Sequence, residues 1–181
     1  MKKNILALIV LSFATSSFAE ALSGPYELKS SKIDYVVKYL IKKAEGSSTT
    51  AKGKGECKEK SCDFLVAAPV KSFESRDSNR DLNMLKTTKA DKYPMVIARI
   101  KAPAELSADF KTDVELEFAG EKHMYSGVVF KTTGNAQAFH AEGKINVSLN
   151  NHKIERPSLL GVEVEDNLPV SISADWIQRK N

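Results

Sequence analysis

The sequence has few of the residues and motifs that mark the common enzyme and metalloprotein classes. It contains two cysteines and three histidines in 181 residues. His123, His140 and His152 show no HxH or HxxxH spacing, so no metal site is predicted. The sequence has no Gly-x-Ser-x-Gly elbow, P-loop or dinucleotide fingerprint, so we expect neither an enzyme nor a bound cofactor. The formal net charge is only +4, with basic and acidic residues interspersed, which argues against nucleic acid as a partner.

No apolar run in the sequence is long enough to cross a membrane. The run at residues 5–13 follows two lysines and precedes small residues, which is the pattern of a signal peptide. We therefore predict a signal peptide over residues 1–19, with a second cleavage frame after Ala21, and one mature domain over residues 22–181. The mature chain would have no integral membrane segment and would be periplasmic or secreted. A retained N-terminal anchor is the alternative.

The two cysteines, Cys57 and Cys62, lie close together among turn-forming residues. In a chain with an export signal, this arrangement predicts a disulfide that closes the tip of a β-hairpin. A loop this short should add about 2 kcal/mol or less to stability. The alternative is a redox-active pair, although such pairs more often have C-x-x-C spacing at the start of a helix.

Most of the remaining chain alternates apolar and polar residues with a period of two, which is typical of β-strands. The pattern predicts strands at residues 26–30, 33–43, 46–55, 64–70, 95–101, 110–118, 124–131, 139–149 and 168–177. Eight or nine strands without an internal linker predict an antiparallel sandwich or barrel. A barrel of about eight strands has an interior that is either filled by side chains or holds one small ligand.

The alternation also predicts which way individual side chains point. Alternate residues from Met124 to Phe130, including Ser126 and Val128, are expected on one inner face. His123 and His140 then fall on the polar side of their strands, which predicts that both are exposed to solvent.

Residues 72–94 interrupt the strand pattern. Ser78-x-x-Asp81 resembles a capping box and stands just ahead of several apolar residues, which predicts the start of a short helix. Tyr93 is followed by Pro94, which disfavours helix at the preceding residue and returns the chain to an extended backbone.

This helix has two interpretations. Leu82 and Leu85 are three residues apart and would share one helical face, so the segment could close a cavity and place Arg80 and Asp81 at its rim. Alternatively, the segment is an ordinary crossover with a solvated ion pair, which would contribute little to stability.

The segment SFESRDSNRDLNMLKTTKADKYP, residues 72–94, resembles the signature of the YceI-like family of periplasmic lipid-binding proteins. A second match, VSLNNHKIERPSLLG, lies at residues 147–161. The similarity extends over about residues 26–176. The resemblance implies an all-β fold, a lipocalin-like antiparallel β-barrel of about eight strands with one short helix inserted. It also implies that the barrel holds a polyisoprenoid or similar long lipid.

If the barrel is hollow, inward-facing apolar side chains would line the lipid site. These are Tyr35, Val37, Tyr39, Phe64, Val66, Phe110, Val114, Leu116, Phe118, Phe130, Phe139, Ile145 and Trp176, with Leu82 and Leu85 closing one end. Small residues between them could leave a tunnel or could complete a close-packed core. Arg80 and Arg156 are candidates for binding a polar head group, although Arg156 could equally be a solvated loop residue.

The resemblance therefore implies a periplasmic carrier of an elongated lipid, most consistent with an isoprenoid quinone or a polyprenyl phosphate, that acts by burial and not by reaction. Three alternatives stay open: binding of a fatty acid or fatty amide, a filled barrel that acts through protein contacts, and a redox accessory protein that uses the two cysteines. The sequence also leaves open whether the protein is a homodimer.

Overall fold

The computed structural model describes residues 21–40, 42–105, 108–159 and 161–179, so the predicted signal peptide lies outside the described residues. The strands are β1 (Gly24–Tyr39), β2 (Lys42–Ser48), β3 (Lys52–Lys58), β4 (Ser61–Pro69), β5 (Met95–Pro103), β6 (Asp109–Phe118), β7 (Glu121–Gly134), β8 (Ala138–Ser148), β9 (Ser158–Leu159), β10 (Val162–Glu163) and β11 (Asn167–Gln178). One α-helix, α1 (Ser78–Thr87), and two 3-10 turns, Val70–Ser72 and Asn150–His152, complete the described part of the chain. Within these residues, none of the helices has the length and apolarity needed to cross a bilayer.

Eight of the strands close into an antiparallel barrel. Neighbouring strands follow the order β11-β8-β7-β6-β5-β4-β3-β1, and pairing between β1 and β11 closes the ring. β2 continues the line of β3 along β1 in the same register, with Tyr35 opposite Gly46 and Tyr26 opposite Gly55. Because side chains alternate along each strand, one face of the sheet lines the interior. The predicted all-β barrel of about eight strands with one short helix is confirmed.

β1 is one strand of 16 residues where the alternation predicted two. Its pairing with β11 shifts between Leu28 and Ser30, which marks a β-bulge. Tyr26 and Leu28 are buried before the bulge and Tyr35 after it, so the inward face changes phase there. This change of phase explains why a single strand has the pattern of two. Conversely, the predicted strand at 46–55 is divided between β2 and β3.

β7 contains a second bulge. Thr112 pairs with Val128, but Val114 pairs with Tyr125, so β7 has one more residue than β6 in this interval. Gly127 lies at the bulge with φ of 71°, a left-handed conformation that glycine adopts without steric cost.

The bulge reverses the faces of β7 on its N-terminal side. Met124 is 50% exposed and Ser126 is also exposed, whereas His123 and Tyr125 are partly buried. The prediction that Met124 and Ser126 share the inner face of Val128 is therefore wrong, and so is the predicted placement of His123 on the outer side.

α1 begins with a cap at Asp77 and not at Ser78. The Asp77 Oδ1 accepts the N–H of Arg80 at 3.0 Å. The Asp81 carboxylate reaches back and accepts both the N–H and the hydroxyl of Ser75, at 3.0 Å and 2.6 Å. The helix is therefore present as predicted, but its capping residue differs by one position.

The barrel has two different ends. The disulfide end carries the β3–β4 hairpin and is covered by Leu22, which is 4% exposed and whose N–H donates to the Ala104 carbonyl at 2.7 Å. The helix end carries α1, the β1–β2 and β6–β7 turns and the connection from β8 to β11. Leu22, an apolar side chain, thus covers part of the disulfide end.

Candidate functional site

A cavity of about 50 Å³ lies in the disulfide half of the barrel. Its lining is almost entirely apolar and consists of Leu22, Phe64, Val66, Ile100, Ala102, Pro103, Glu105, Phe110, Phe130, Thr132, Phe139, Ala141, Ile172, Ala174 and Trp176. Six of the predicted lipid-site residues are in this set, and the three alanines leave room beside the rings. For comparison, an apolar cavity of about 150 Å³ binds one benzene molecule. A long chain would therefore have to extend beyond this cavity or displace side chains.

Aromatic rings form the floor of the cavity. Trp176 packs edge-on against Phe64 with ring centroids 4.8 Å apart, and Phe139 stacks on Trp176 at 6.4 Å. Tyr26 is 1% exposed, packs on both phenylalanines and donates its hydroxyl to the Ala136 carbonyl at 2.6 Å. The sequence did not single out Tyr26, because it precedes the bulge and is out of phase with the rest of β1.

In the helix half, the inner wall is apolar and only partly covered. Val114, Leu116, Phe130 and Ile145 are buried together in one cluster. Other inward-facing side chains keep intermediate exposure: Ile33, Val37, Tyr39, Val66, Val96, Ala98, Phe118, Leu168, Val170 and Ile172. An inward-facing side chain that is partly exposed must border accessible space. The apolar interior therefore continues from the cavity towards the helix end.

α1 lies on the rim of this end without sealing it. None of its ten residues is buried; Leu82 is 55% exposed and Leu85 is partly exposed. Met84 makes a contact with the barrel, because its sulfur accepts a weak hydrogen bond from the Tyr35 hydroxyl at 3.7 Å. The Tyr35 ring also packs against Phe73, with centroids 5.9 Å apart. We name this rim, between Tyr35 and α1, the mouth.

Charged groups surround Tyr35 at the mouth. Burial raises the pKa of the Tyr35 phenol, the Asp81 carboxylate raises it further and the Arg80 guanidinium opposes them, so the three groups share one electrostatic environment. Arg80 is held in place, because it donates to the Ser75 carbonyl at 3.2 Å and pairs with Asp77 at 3.4 Å. A polar head group at this end would meet a phenol, a carboxylate and a guanidinium.

Arg156, the other predicted head-group residue, is engaged elsewhere at the helix end. Its guanidinium donates to the Val164 carbonyl at 3.1 Å and forms an ion pair with Glu163. These contacts tie Arg156 to the β9–β10 hairpin, and among the described residues it shares no polar partner with Arg80.

A buried histidine network, which the sequence did not predict, lies in the barrel wall. His152 is 0% exposed. Its Nδ1 lies 3.2 Å from the Glu121 carbonyl, which can only accept, so Nδ1 carries the proton and Nε2 accepts the hydroxyl of Tyr125 at 3.0 Å. The Tyr125 oxygen in turn accepts the N–H of Ser148 at 3.1 Å. Burial lowers the pKa of His152, so the ring is neutral at pH 7.

This network fills a seam between β7 and β8. The two strands pair only from Phe130 opposite Gly143 to Gly134 opposite Phe139. Towards the helix end, the described residues of β7 and β8 make no further ladder pairs with each other. The Tyr125 side chain replaces the missing backbone partner.

His140 forms a second cluster, on the outer face of the barrel. Its Nδ1 lies 2.6 Å from Asp175, and its Nε2 lies 3.3 Å from both Ser173 and Glu142. The hydrogen bond to Asp175 raises the pKa of His140. The order Ser173–His140–Asp175 resembles a serine nucleophile with its base. However, Glu142 competes with Ser173 for Nε2 of His140. The raised pKa of His140 also favours the imidazolium form, which cannot accept a proton. No cluster in the described ranges brings together three metal-binding side chains in a suitable arrangement.

The predicted disulfide between Cys57 and Cys62 is confirmed. The two residues are directly opposite in the β3–β4 hairpin, and Glu59 in the turn has φ of 53°. Cys57 is 3% exposed and Cys62 is 0% exposed. Buried sulfurs are poorly accessible to thiol exchange, so the geometry favours a structural staple over a redox pair.

Comparison of the fold with solved structures finds several similar barrels. A polyisoprenoid-binding domain from Saccharophagus degradans, implicated in plant cell wall breakdown, superposes with a TM-score of 0.71 at 10% identity, covering 85% of this chain and 98% of that one. BcnA from Burkholderia cenocepacia gives 0.66 at 16% identity, covering 80% and 95%. A YceI protein from Campylobacter jejuni gives 0.54 at 13% identity, covering 99% and 100%.

By sequence, no protein-family model matches the chain, and no curated protein matches it significantly. The structural likenesses, at these low identities, establish the fold. The protein has the YceI-type antiparallel β-barrel fold that the motifs at residues 72–94 and 147–161 predicted.

Proposed function

We propose that the protein is a YceI-like lipid carrier that holds one elongated apolar lipid inside its barrel. The observation that carries this proposal is the apolar interior, which runs from the cavity above Trp176 to partly exposed inward side chains such as Val170 at the helix end. A polyisoprenoid, such as an isoprenoid quinone or a polyprenyl phosphate, suits an interior that is long and narrow. One of the similar structures is a polyisoprenoid-binding domain, which supports this class of ligand.

Burial of the chain can supply the affinity. Each methylene removed from water contributes roughly 0.8 kcal/mol, so an isoprenoid unit of five carbons contributes about 4 kcal/mol. Association costs at least several kcal/mol. About four buried units would therefore give a dissociation constant in the micromolar range or below. No reactive group is needed for this function.

We place the head group at the helix end. The disulfide end is covered by Leu22 and floored by aromatic rings, whereas the mouth offers Tyr35, Arg80 and Asp81. Tyr35→Asp should weaken lipid binding strongly, because it puts a charge at the point where the chain would pass. Unchanged affinity in a normally folded Tyr35→Asp protein would remove Tyr35 from the site.

The carrier is proposed to work in the periplasm after cleavage of the signal peptide. Cleavage after Ala19 or after Ala21 would leave Leu22 in the mature chain, where it can cover the disulfide end. N-terminal sequencing of the protein from a periplasmic fraction tests this step. An uncleaved chain found in the membrane fraction would contradict it.

The main test is mass spectrometry of an organic extract from the natively purified, signal-cleaved protein. A long-chain species present in stoichiometric amount would establish the carrier and identify the chain and head group. An empty extract, obtained again with protein purified from the native host, would instead favour a barrel that acts through protein partners.

A further inference from the structure

The helix end presents two exposed leucines on neighbouring elements. Leu40, in the turn between β1 and β2, is 64% exposed, and Leu82 on α1 is 55% exposed. Among the described residues, they are the most exposed large apolar side chains, ahead of Met124 and Val129 on the barrel wall at 50% and 49%. Large apolar side chains that are exposed at one end of a fold are typical of an interaction surface.

The β1–β2 hairpin carries Leu40 beyond the barrel wall. Pairing between β1 and β11 ends at Tyr35. From there to Tyr39, β2 is the only described strand that pairs with β1, and the Lys38 carbonyl accepts the N–H of Glu165 at 3.0 Å. Four residues of strand span about 13 Å, so the turn carries Leu40 beyond the last pair of the β1–β11 ladder. The contact between Tyr35 and Met84 places α1 beside this hairpin.

Lysines flank both leucines. Lys38 and Lys42 lie on the hairpin and Lys86 lies one helical turn from Leu82, and all three are exposed. Within the described ranges, none of these lysines takes part in an ion pair. Their charges are therefore available to an external partner.

The connection from β8 to β11 lies next to the hairpin, because the N–H of Glu165 donates to the Lys38 carbonyl at 3.0 Å. Residues 153–166 contain four acidic and two basic residues. Both basic residues are paired, Lys153 with Glu121 at 2.8 Å and Arg156 with Glu163. Among the described residues, the hairpin and α1 thus carry unpaired lysines and the two most exposed leucines, with the acidic connection beside them. We name this surface, comprising Lys38, Leu40, Lys42, Leu82 and Lys86, the docking rim.

We infer that the docking rim binds the surface of an anionic lipid bilayer. Leucines on projecting tips can enter the headgroup region, and lysines beside them are attracted to anionic lipids. This inference rests on the proposed lipid carrier, because docking there brings the mouth against the membrane and lets the chain enter the barrel without crossing water. A second copy of the chain is a less suitable occupant, because three unpaired lysines would face three others across a twofold interface.

Vesicle co-sedimentation of the mature protein tests the inference. The probes are phosphatidylcholine vesicles with and without phosphatidylglycerol. We expect binding only to the vesicles with phosphatidylglycerol, with affinity that falls as salt rises. Replacing Lys38, Lys42 and Lys86 together by glutamine should weaken binding roughly 100-fold at low salt, at about fivefold per charge.

The leucines are tested against a matched pair. Leu40→Asn with Leu82→Asn should weaken vesicle binding about tenfold or more, and asparagine tolerates the φ of 48° at position 40. Met124→Asn with Val129→Asn removes similarly exposed apolar side chains from the wall and should bind as the wild type does. Equal behaviour of the two double variants, no preference for phosphatidylglycerol, or self-association through the rim in place of vesicle binding would overturn the inference.

A separate measurement distinguishes failure of the docking from failure of the carrier. Dansylated farnesyl phosphate in detergent micelles is titrated with the wild type and with the Leu40/Leu82 double variant. If both proteins bind the probe and the wild type does not bind anionic vesicles, the proposed membrane docking is wrong and the proposed lipid-carrier function is retained. If the wild type does not bind the probe, the carrier fails and the docking falls with it.

Discussion

Ala174→Leu should separate the stability of the barrel from its capacity for lipid. Ala174 is 6% exposed and lines the cavity of about 50 Å³ together with Trp176. Leucine adds three carbon atoms at this position. Filling the cavity would recover about 1 kcal/mol at roughly 24 cal/mol per Å³, while overpacking costs about 1–3 kcal/mol. The free energy of unfolding, measured by urea denaturation, should therefore change by no more than about 2 kcal/mol.

The loss of lipid affinity should be larger. If the end of the chain occupies the cavity, excluding three carbons costs about 2.4 kcal/mol, which is roughly 50-fold in Kd. Fluorescence titration with dansylated farnesyl phosphate measures this loss. Ala138→Leu is the control, because Ala138 is exposed at the start of β8 and its replacement should leave Kd unchanged. A folded Ala174→Leu protein with wild-type affinity would refute the placement of the chain in the cavity.

Three further predictions concern the stability of the barrel. The pKa of His152 is lowered in the folded protein, so the unfolded chain binds a proton first as pH falls below about 6.5, and stability is lost as pH falls through the folded pKa. His152→Gln should therefore flatten the decline of Tm between about pH 7 and pH 5. His140→Gln is the control, because the raised pKa of His140 affects stability only above about pH 6.5. If Tm of the His152→Gln variant fell with pH as steeply as that of the wild type, the buried, neutral state of His152 would be contradicted. Gly120→Ala should destabilise the protein more than Gly161→Ala does. Both glycines have a positive φ, so alanine costs about 1–2 kcal/mol at either position, but at position 120 the new Cβ would also lie 2.4 Å from the Tyr93 ring. Equal urea midpoints for the two variants would argue against that contact. Reduction of the disulfide should lower the free energy of unfolding by about 2 kcal/mol or less and leave lipid binding intact, and loss of binding on reduction would contradict a purely structural role.

The fold could be predicted wherever a strand keeps its phase from end to end. In β6 the inward positions of Phe110, Val114 and Leu116 follow the predicted period of two, and the same holds for Ala174 and Trp176 in β11. These strands present one buried face throughout, so local alternation carries the whole structural signal.

Where a strand contains a bulge, the alternation predicted the wrong inward-facing residues for part of that strand. A bulge is defined by the partner strand, because it is an extra residue relative to that partner, and a single strand's alternation does not show it. Gly127 was the available signal, since an isolated glycine within a strand pattern often marks a bulge. Without it, Met124 was placed inside the barrel and His123 outside.

The lining of the cavity was predicted in part, while the role of these residues in binding a lipid stays a prediction. Phe64, Phe110 and Trp176 line the cavity, but Leu22 was missed because its burial depends on a contact with Ala104, which is distant in sequence. The helix was predicted, but the exposure of its Leu82 was not, because the alternation of apolar residues does not reveal whether a short helix enters a barrel or lies across its rim.

The seam between β7 and β8 has a consequence for the circumference of the barrel. In a ring that is paired all round, a wider circumference requires the rupture of ladder hydrogen bonds. Beyond Phe130 and Gly143 this wall is joined by the side chains of Tyr125 and His152, and side chains can rotate while the strands stay intact. We expect a change of width in the helix half to break these side-chain hydrogen bonds and no ladder bonds between the described residues of β7 and β8, whereas the ladder from Phe130 to Gly134 holds the disulfide half at a fixed width.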